Sequence, residues 1–319
     1  MSRIVLTCSS DNGYAPHATV MLLSALRSTP RAQFVIHYLI DPDFPEATQA
    51  LVRQSLARFG QRAELHFHTV PDEWVQDLPL FKFMKPGEMR PVMWYRVFLP
   101  RLLPQEPKIL YLDCDTLVVD SLEWLWRFEL GERALAAVSN PFWDGDSNWY
   151  AKLGLARQAD YFNSGVMLLN LDRLRAGRLS EAVLAHGREH ADWTRFGDQD
   201  SLVAVLHGER LPLPPRWNAM RILLMAAQSR QLFTPAELRD AIRRPAIIHF
   251  EGSTKPWVNP TKHPYGRLHA RYARRLPWPV NATPYGLDDI ENFLTRRNWQ
   301  MLRHQFRTLR SRFTRSQTA

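Results

Sequence analysis

Cysteine is nearly absent: the 319 residues hold two, Cys8 and Cys114, each inside an apolar stretch that reads as a buried strand or its end. That excludes a disulfide scaffold and a CxxC metal site, and it predicts two reduced core thiols. Long apolar runs are missing too, since no stretch approaches the roughly 18 to 20 residues that a membrane-spanning helix needs. The opening MSRIVLTCSS carries one arginine and a short apolar run, too brief for a secretory signal with its cleavage site, so the expected location is cytoplasmic. No internal repeat or low-complexity tract occurs, which argues against a repeat architecture. Acidic residues are absent after Glu291, so the end of the chain carries positive charge alone.

What is present fits one large α/β domain with an appendage: 45% hydrophobic and 23% charged residues suffice for a sizeable core. A net charge of +9 points to an acidic partner, which could be nucleic acid, anionic lipid or a phosphorylated substrate. Early in the chain, strands alternate with helices. RIVLTC reads as a buried strand, about Pro16 to Leu26 as a helix and QFVIHYLI as a second strand; a helix through about Phe59 and the strand AELHFHTV follow. Such alternation predicts a mostly parallel sheet with helices on both faces, and ligands beyond the carboxyl ends of its strands. The loop SSDNGY lies at such an end. Further on, a helix near MWYRVFLPRLL, the strands KILYLDCDTLVV, ALAAVS and YFNSGVMLLNL, a helix near Asp198, a proline-rich crossing and the strand PAIIHFEG complete the domain.

Four clusters carry chemistry. Asp113 and Asp115 stand two apart at a strand end, where extended backbone would aim both carboxylates to one face. They repel unless a cation lies between them or one takes a proton; the plain alternative is a pair of turn acids. His249, at the end of another buried strand, would add a ring nitrogen, and a mixed oxygen and nitrogen site suits Mn²⁺, with Mg²⁺ as second choice. Beside it Gly252 allows close backbone approach, and Lys255 offers a point charge to phosphate. Asn163, Ser164 and Gly165 interrupt an apolar strand, either to meet sugar hydroxyls or as a β-bulge. In GDQD, Asp198 reads as a helix N-cap, which leaves Gln199 unexplained.

In their order and spacing, the stretches SSDNGYA, WYRVFLP, LYLDCDTLV, YFNSGVMLLNL, DQDSL and HFEGSTKPW resemble retaining glycosyltransferase family 8, the family of bacterial lipopolysaccharide galactosyl- and glucosyltransferases and of glycogenin. The resemblance runs from about Ile4 to Trp257. It implies a GT-A type fold, a UDP-sugar donor and a glycan acceptor. It also implies Mn²⁺ on Asp113, Asp115 and His249, and the diphosphate on Gly252 and Lys255. Asp11 and Tyr14 would hold the uracil, with Tyr14 stacked on the base, while Arg96, Asn163, Ser164, Asp198 and Gln199 would face the donor sugar, Gln199 near the anomeric carbon and, with Asp198, the catalytic candidate.

The division expected is a transferase domain over residues 1–280 and a tail over 281–319. In the tail seven arginines lie between residues 296 and 315, and Trp299, Leu302, Phe306, Leu309 and Phe313 recur at spacings of three and four. That pattern predicts a basic amphipathic helix for residues 291–315, peripheral on the anionic inner face of the cytoplasmic membrane beside a lipid-linked acceptor, or else packed on the domain. Three rivals stand beside this reading. LYLDCDTLV resembles a haloacid-dehalogenase phosphatase motif, although Leu117 replaces the Thr or Val that motif wants. A basic nucleic-acid binder would use the tail, but its aromatics form a helical stripe and no stacking platform, so no nucleic acid is expected. A nucleotide-sugar binder without turnover is the third.

Overall fold

The computed structural model describes residues 2–80, 91–141, 147–225, 228–252, 255–258, 263 and 265–278. The residue 291–315 helix and the boundary near 280 lie outside them. Free thiols occur at Cys8 and Cys114, as expected. Among the described residues no helix is long and apolar enough to cross a membrane.

The strands are β1 (Ser2–Ser9), β2 (Ala32–Ile40), β3 (Ala63–Thr69), β4 (Lys108–Leu112), β5 (Thr116–Val118), β6 (Leu135–Ser139), β7 (Phe162–Asn170), β8 (Arg210–Pro212), β9 (Ala219–Met220) and β10 (Ile247–His249). Seven form one sheet in the order β3-β2-β1-β4-β7-β6-β8; β5, β10 and β9 form a second. In the large sheet β1 pairs in parallel with β2 and β4, β2 with β3, and β6 with β8. Strand β7 runs antiparallel to both neighbours, so the sheet is mixed but mostly parallel. Its strands read as near-continuous apolar runs because both faces are covered. Along β1, Ile4, Leu6 and Cys8 enter one core and Val5 the other.

Helix α1 (Ala15–Ser28) packs on the first core, opened by Pro16 and by Asp11, whose carboxylate accepts the Tyr14 N–H at 2.8 Å. Helix α2 (Glu46–Leu56) joins that side, while α3 (Leu179–Glu189) and α4 (Asp198–Leu206) cover the other. Thr234 and Glu237 close α5 (Pro235–Arg243) with a reciprocal capping box. The last helix among the described residues, α6 (Gly266–Ala273), meets α1.

Two local readings need correction. The stretch KILYLDCDTLVV is not one extended strand: β4 ends at Leu112, the chain turns through Asp113, Cys114 and Asp115, and β5 begins in the other sheet. The two carboxylates therefore converge through a turn and not through strand alternation. Nor is Asp198 an N-cap. That place belongs to Gly197 at φ 51°, and Asp198 is the first helical residue, its side chain freed for other contacts.

Candidate active site

The turn after β4 holds both aspartates because backbone bonds pin it. Asp113 N–H donates to the Gly165 carbonyl on β7 at 2.7 Å, and the Thr116 N–H and hydroxyl both return to the Asp113 carbonyl. Strand β10 then pairs antiparallel with β5, His249 opposite Thr116, which swings the imidazole over the turn. His249 Nε2 lies 3.1 Å from Asp115 Oδ1 and 3.8 Å from Asp113 Oδ2, and one ligand atom from each of the three residues falls within 4.8 Å of the others. Two carboxylates and a ring nitrogen brought this close form a donor set that fits one divalent cation.

Lys255 closes the other side of Asp115. Its ammonium donates to Asp115 Oδ2 and, at 2.9 Å, to the Phe250 carbonyl. Burial would raise the Asp115 carboxyl, but Lys255 and His249 outweigh it and hold that carboxyl well below its ordinary value. Lys255 itself is pushed up to about 12, its burial more than offset by Asp115. Gly252 sits at φ 75°, a left-handed backbone that glycine adopts at least cost, and a Cβ there would meet nothing within 4 Å.

Arg96, on the 3-10 helix Pro91–Phe98, is a fully engaged strut. Its Nη2 pairs with Asp113 Oδ1 at 2.9 Å, and its Nη1 donates to the Ser164 carbonyl at 2.7 Å and reaches the Ser164 hydroxyl at 3.3 Å. The guanidinium also lies over the Tyr111 ring at 4.5 Å, while the Tyr111 hydroxyl donates to Asp113. Asp198 Oδ2 is 3.0 Å from Arg96 Nε, yet that N–H is aimed at the Met93 carbonyl. Asp198 is thus held by charge without an aligned hydrogen bond, and its Oδ2 is a buried acceptor with no such partner.

The polar break in β7 forms a shelf beside the triad. Between β6 and β7 the register slips, Ala137 facing Met167 but Ser139 facing Phe162, so the irregularity falls between Phe162 and Met167, the stretch that holds Asn163 to Gly165. The irregularity expected here is present, and the polar atoms of Asn163 bond within the protein, to Gln199, Asn218 and the Gly165 N–H. Gln199 Oε1 accepts from Asn163 Nδ2 at 3.0 Å and from the Ser164 N–H at 3.1 Å, and its Nε2 donates to the Tyr161 hydroxyl at 2.7 Å. Asn218 escaped the sequence reading. It is fully buried and joins Asn163 to His249, but in the run PPRWNAM nothing distinguishes it from a loop asparagine. Gly165 has a role beyond the bulge as well: a Cβ there would stand 2.3 Å from His249 Cε1 and 2.6 Å from Asp113 Oδ2.

At the first loop, Tyr14 is half-buried, edge-on to Trp257 with ring centres 5.6 Å apart. His17 stacks flat on the same indole at 3.6 Å. Burial raises the Tyr14 hydroxyl against the pull of the Lys255 ammonium. Asp11 is the predicted donor residue that the structure shows spending a carboxylate oxygen on its own loop.

The family Glycosyl transferase family 8 matches residues 5–261. The chain belongs to it. That assignment sets aside the phosphatase reading of LYLDCDTLV. Among the relatives of this family 8 glycosyltransferase is General stress protein A of Bacillus subtilis, 27% identical over 287 residues, which covers 88% of this chain and 96% of that protein. Lipopolysaccharide 1,2-glucosyltransferase of Escherichia coli is 24% identical over 67% of this chain and 63% of its own length. The crystal structure of the galactosyltransferase LgtC with donor and acceptor sugar analogs superposes with a TM-score of 0.74 at 26% identity, covering 86% of this chain and 97% of that one. The fold is accordingly of the GT-A type.

One titration in this glycosyltransferase is testable directly. Burial pushes the Asp198 carboxyl from 3.8 up to about 7, helped by Asp113 and opposed by Arg96. Since the folded value is the raised one, Asp198 favours folding below pH 3.8, and that contribution is lost as pH rises through about 7. In metal-free buffer, the stability of Asp198→Asn relative to wild type should therefore grow by about 2 kcal/mol between pH 5 and pH 8. A difference that stays flat in urea titrations at the two pH values would contradict the assignment.

Proposed function

We propose that this chain is a retaining hexosyltransferase that moves galactose or glucose from a UDP-sugar to a saccharide acceptor, with a lipopolysaccharide core or another lipid-linked glycan as the acceptor class. One observation carries the reading: the Asp113, Asp115 and His249 triad, the Lys255 ammonium and the Asn163–Gln199 amides meet at the carboxyl end of β4. A cation site, a phosphate partner and a polar shelf of sugar-binding type are what the cleavage of a sugar diphosphate needs side by side. The names of the Escherichia coli relative and of the LgtC complex support the acceptor and donor classes.

Asp113, Asp115 and His249 would hold Mn²⁺, or Mg²⁺ as the second choice; bound there, it supplies Lewis-acid stabilisation to the diphosphate leaving group. Lys255 adds a fixed positive charge where negative charge grows, and Gly252 lets the backbone come close. Tyr14 and Asp11 would take the uracil end. Arg96 keeps Asp113, Ser164 and Asp198 in register, so that Asp198 and Asn163 present polar atoms to the donor sugar. Gln199 is a poor nucleophile here, because both lone pairs of Oε1 already accept hydrogen bonds. The favoured course is therefore a front-face transfer. The bond from the anomeric carbon to the diphosphate oxygen breaks and the bond to the acceptor oxygen forms on the same face. The acceptor proton passes to the departing phosphate oxygen, and UDP leaves.

The test is a panel of UDP-sugars, hexoses beside a pentose and a uronic acid, with UDP release and free sugar followed by mass spectrometry. Release from UDP-galactose or UDP-glucose at least tenfold above the other donors is expected. Turnover of a non-hexose donor alone would refute the hexose assignment.

The same reading gives the arginine-rich 291–315 segment the task of holding the enzyme on anionic lipid. Full-length protein should float with phosphatidylglycerol vesicles about tenfold better than a chain ending at Asp288, and the gap should close in high salt. Equal flotation of the two chains would remove the membrane role.

A further inference from the structure

A single chain of hydrogen bonds leads from the triad into the protein, and its direction is legible at every step. At the far end Asp200, fully buried, accepts the Arg195 and Phe196 N–H groups on Oδ2 at 2.6 and 3.0 Å, and takes the Tyr161 hydroxyl on Oδ1 at 2.8 Å. A carboxylate only accepts, so Tyr161 donates and its oxygen is left to receive Gln199 Nε2 at 2.7 Å. That orients the Gln199 amide, and the Ser164 N–H confirms it, since a backbone N–H can point only at the amide oxygen. Asn163 Nδ2 donates to the same oxygen at 3.0 Å, which leaves Asn163 Oδ1 facing the Gly165 N–H at 3.0 Å and Asn218 Nδ2 at 2.7 Å. The Asn218 oxygen is then turned to His249 Nδ1, 3.0 Å away, and can do nothing but accept.

The consequence falls on the metal ligand. With Asn218 Oδ1 as acceptor, the ring proton of neutral His249 must sit on Nδ1, and Nε2 offers its lone pair to the space between Asp113 and Asp115. Carboxylates and main-chain carbonyls usually do this for ligating histidines. Here a side-chain amide does it, and the amide is itself held by donor-side residues.

We propose that Asn218 is the positioning residue of this enzyme: it fixes the metal-binding tautomer of His249 and, through Asn163, locks that tautomer to the orientation of Gln199. Tyr161 and Asp200 anchor the far end of the same chain. The proposal rests on the metal and donor reading above. It makes the cation site and the sugar-binding amides one rigid unit, so that a change at either end is felt at the other.

Three variants of the full-length protein separate the links, with Mn²⁺ binding measured by electron paramagnetic resonance without donor, and kcat and KM measured with it. Asn218→Ala removes both contacts and should weaken Mn²⁺ binding about 10- to 100-fold. Asn218→Asp keeps an acceptor for His249 but cannot donate to Asn163. Mn²⁺ affinity should recover to within about threefold of wild type while kcat stays depressed about tenfold, a rescue that a purely structural role would not give. Tyr161→Phe keeps the shape of the ring but leaves Gln199 Nε2 without its acceptor, loosening the side chain at that end, and should lower kcat about tenfold with Mn²⁺ affinity held. Should Asn218→Ala fail to fold, Asn218→Asp and Tyr161→Phe decide alone. Wild-type Mn²⁺ affinity and wild-type kcat in folded Asn218→Ala, or wild-type kcat in both of the other two, would overturn the proposal and leave the metal reading intact. Absence of Mn²⁺ binding by wild type would overturn both.

Discussion

Replacing Asp115 with asparagine should lower kcat/KM for donor cleavage by about 10³-fold, equivalent to about 4 kcal/mol of transition-state stabilisation. Two contacts set that size. Asp115 is the residue that both His249 and Lys255 touch, so in the proposed reaction its charge would serve the cation and the phosphate partner together. Asparagine keeps the volume but removes the charge that holds a divalent ion, leaving a weak neutral oxygen in its place. It also leaves the Lys255 ammonium, 14% exposed at its side chain, without its anionic partner. Loss of activity should be matched in wild type by chelation with EDTA and reversed there by added Mn²⁺, whereas no Mn²⁺ concentration should restore the variant fully. Wild-type turnover in EDTA, or an Asp115→Asn variant within tenfold of wild type, would sink the metal reading. Asp115→Ala is the harsher companion, because it also opens a cavity beside His249 and the Lys255 ammonium.

The fold was largely legible because its strands are apolar on both faces and its early helices alternate with them. What misled was the turn after β4. Apolar residues flank Asp113 and Asp115 without a break in pattern, and no glycine or proline marks the turn, so one strand was read where two sheets divide. Asp198 failed as a cap for a related reason: Gly197, at φ 51°, takes the turn and hands the aspartate to Arg96. The triad and its lysine were legible because each stands where a buried strand gives way to polar residues. Asn218 was not. Its part in the site depends on a parallel pairing of β9 with β10, with Ala219 beside Ile248, and a partnership set by tertiary register leaves no trace in local pattern. Gly165 was seen only as a weak point in a strand, because one sequence does not show what stands across from a missing side chain.

That missing side chain sets the second large effect. In Gly165→Ala the new methyl would stand 2.3 Å from His249 Cε1, 2.6 Å from Asp113 Oδ2 and 3.0 Å from His249 Nδ1. None of these neighbours yields easily. The His249 ring is buried and tied to Asn218, Asp113 is tied to Arg96 and Tyr111, and Gly165 is pinned through its carbonyl to the Asp113 N–H and through its own N–H to Asn163. Either the imidazole swings away or the bulge opens, and each displaces a triad residue by about 1 Å, a misplacement worth about 10²-fold in rate. Overpacking should also destabilise the fold by about 1 to 3 kcal/mol. A control separates the two effects. In α3, a Cβ on Gly187 would stand 2.4 Å from the Trp94 ring, so Gly187→Ala should lose stability by a similar mechanism while its Mn²⁺ affinity holds. Calorimetric Mn²⁺ titration beside thermal unfolding reads both quantities. If Gly165→Ala and Gly187→Ala lose stability alike and bind Mn²⁺ alike, Gly165 is a packing glycine and nothing more; if only Gly165→Ala loses the ion, its bare backbone is what lets His249 and Asp113 reach the same cation.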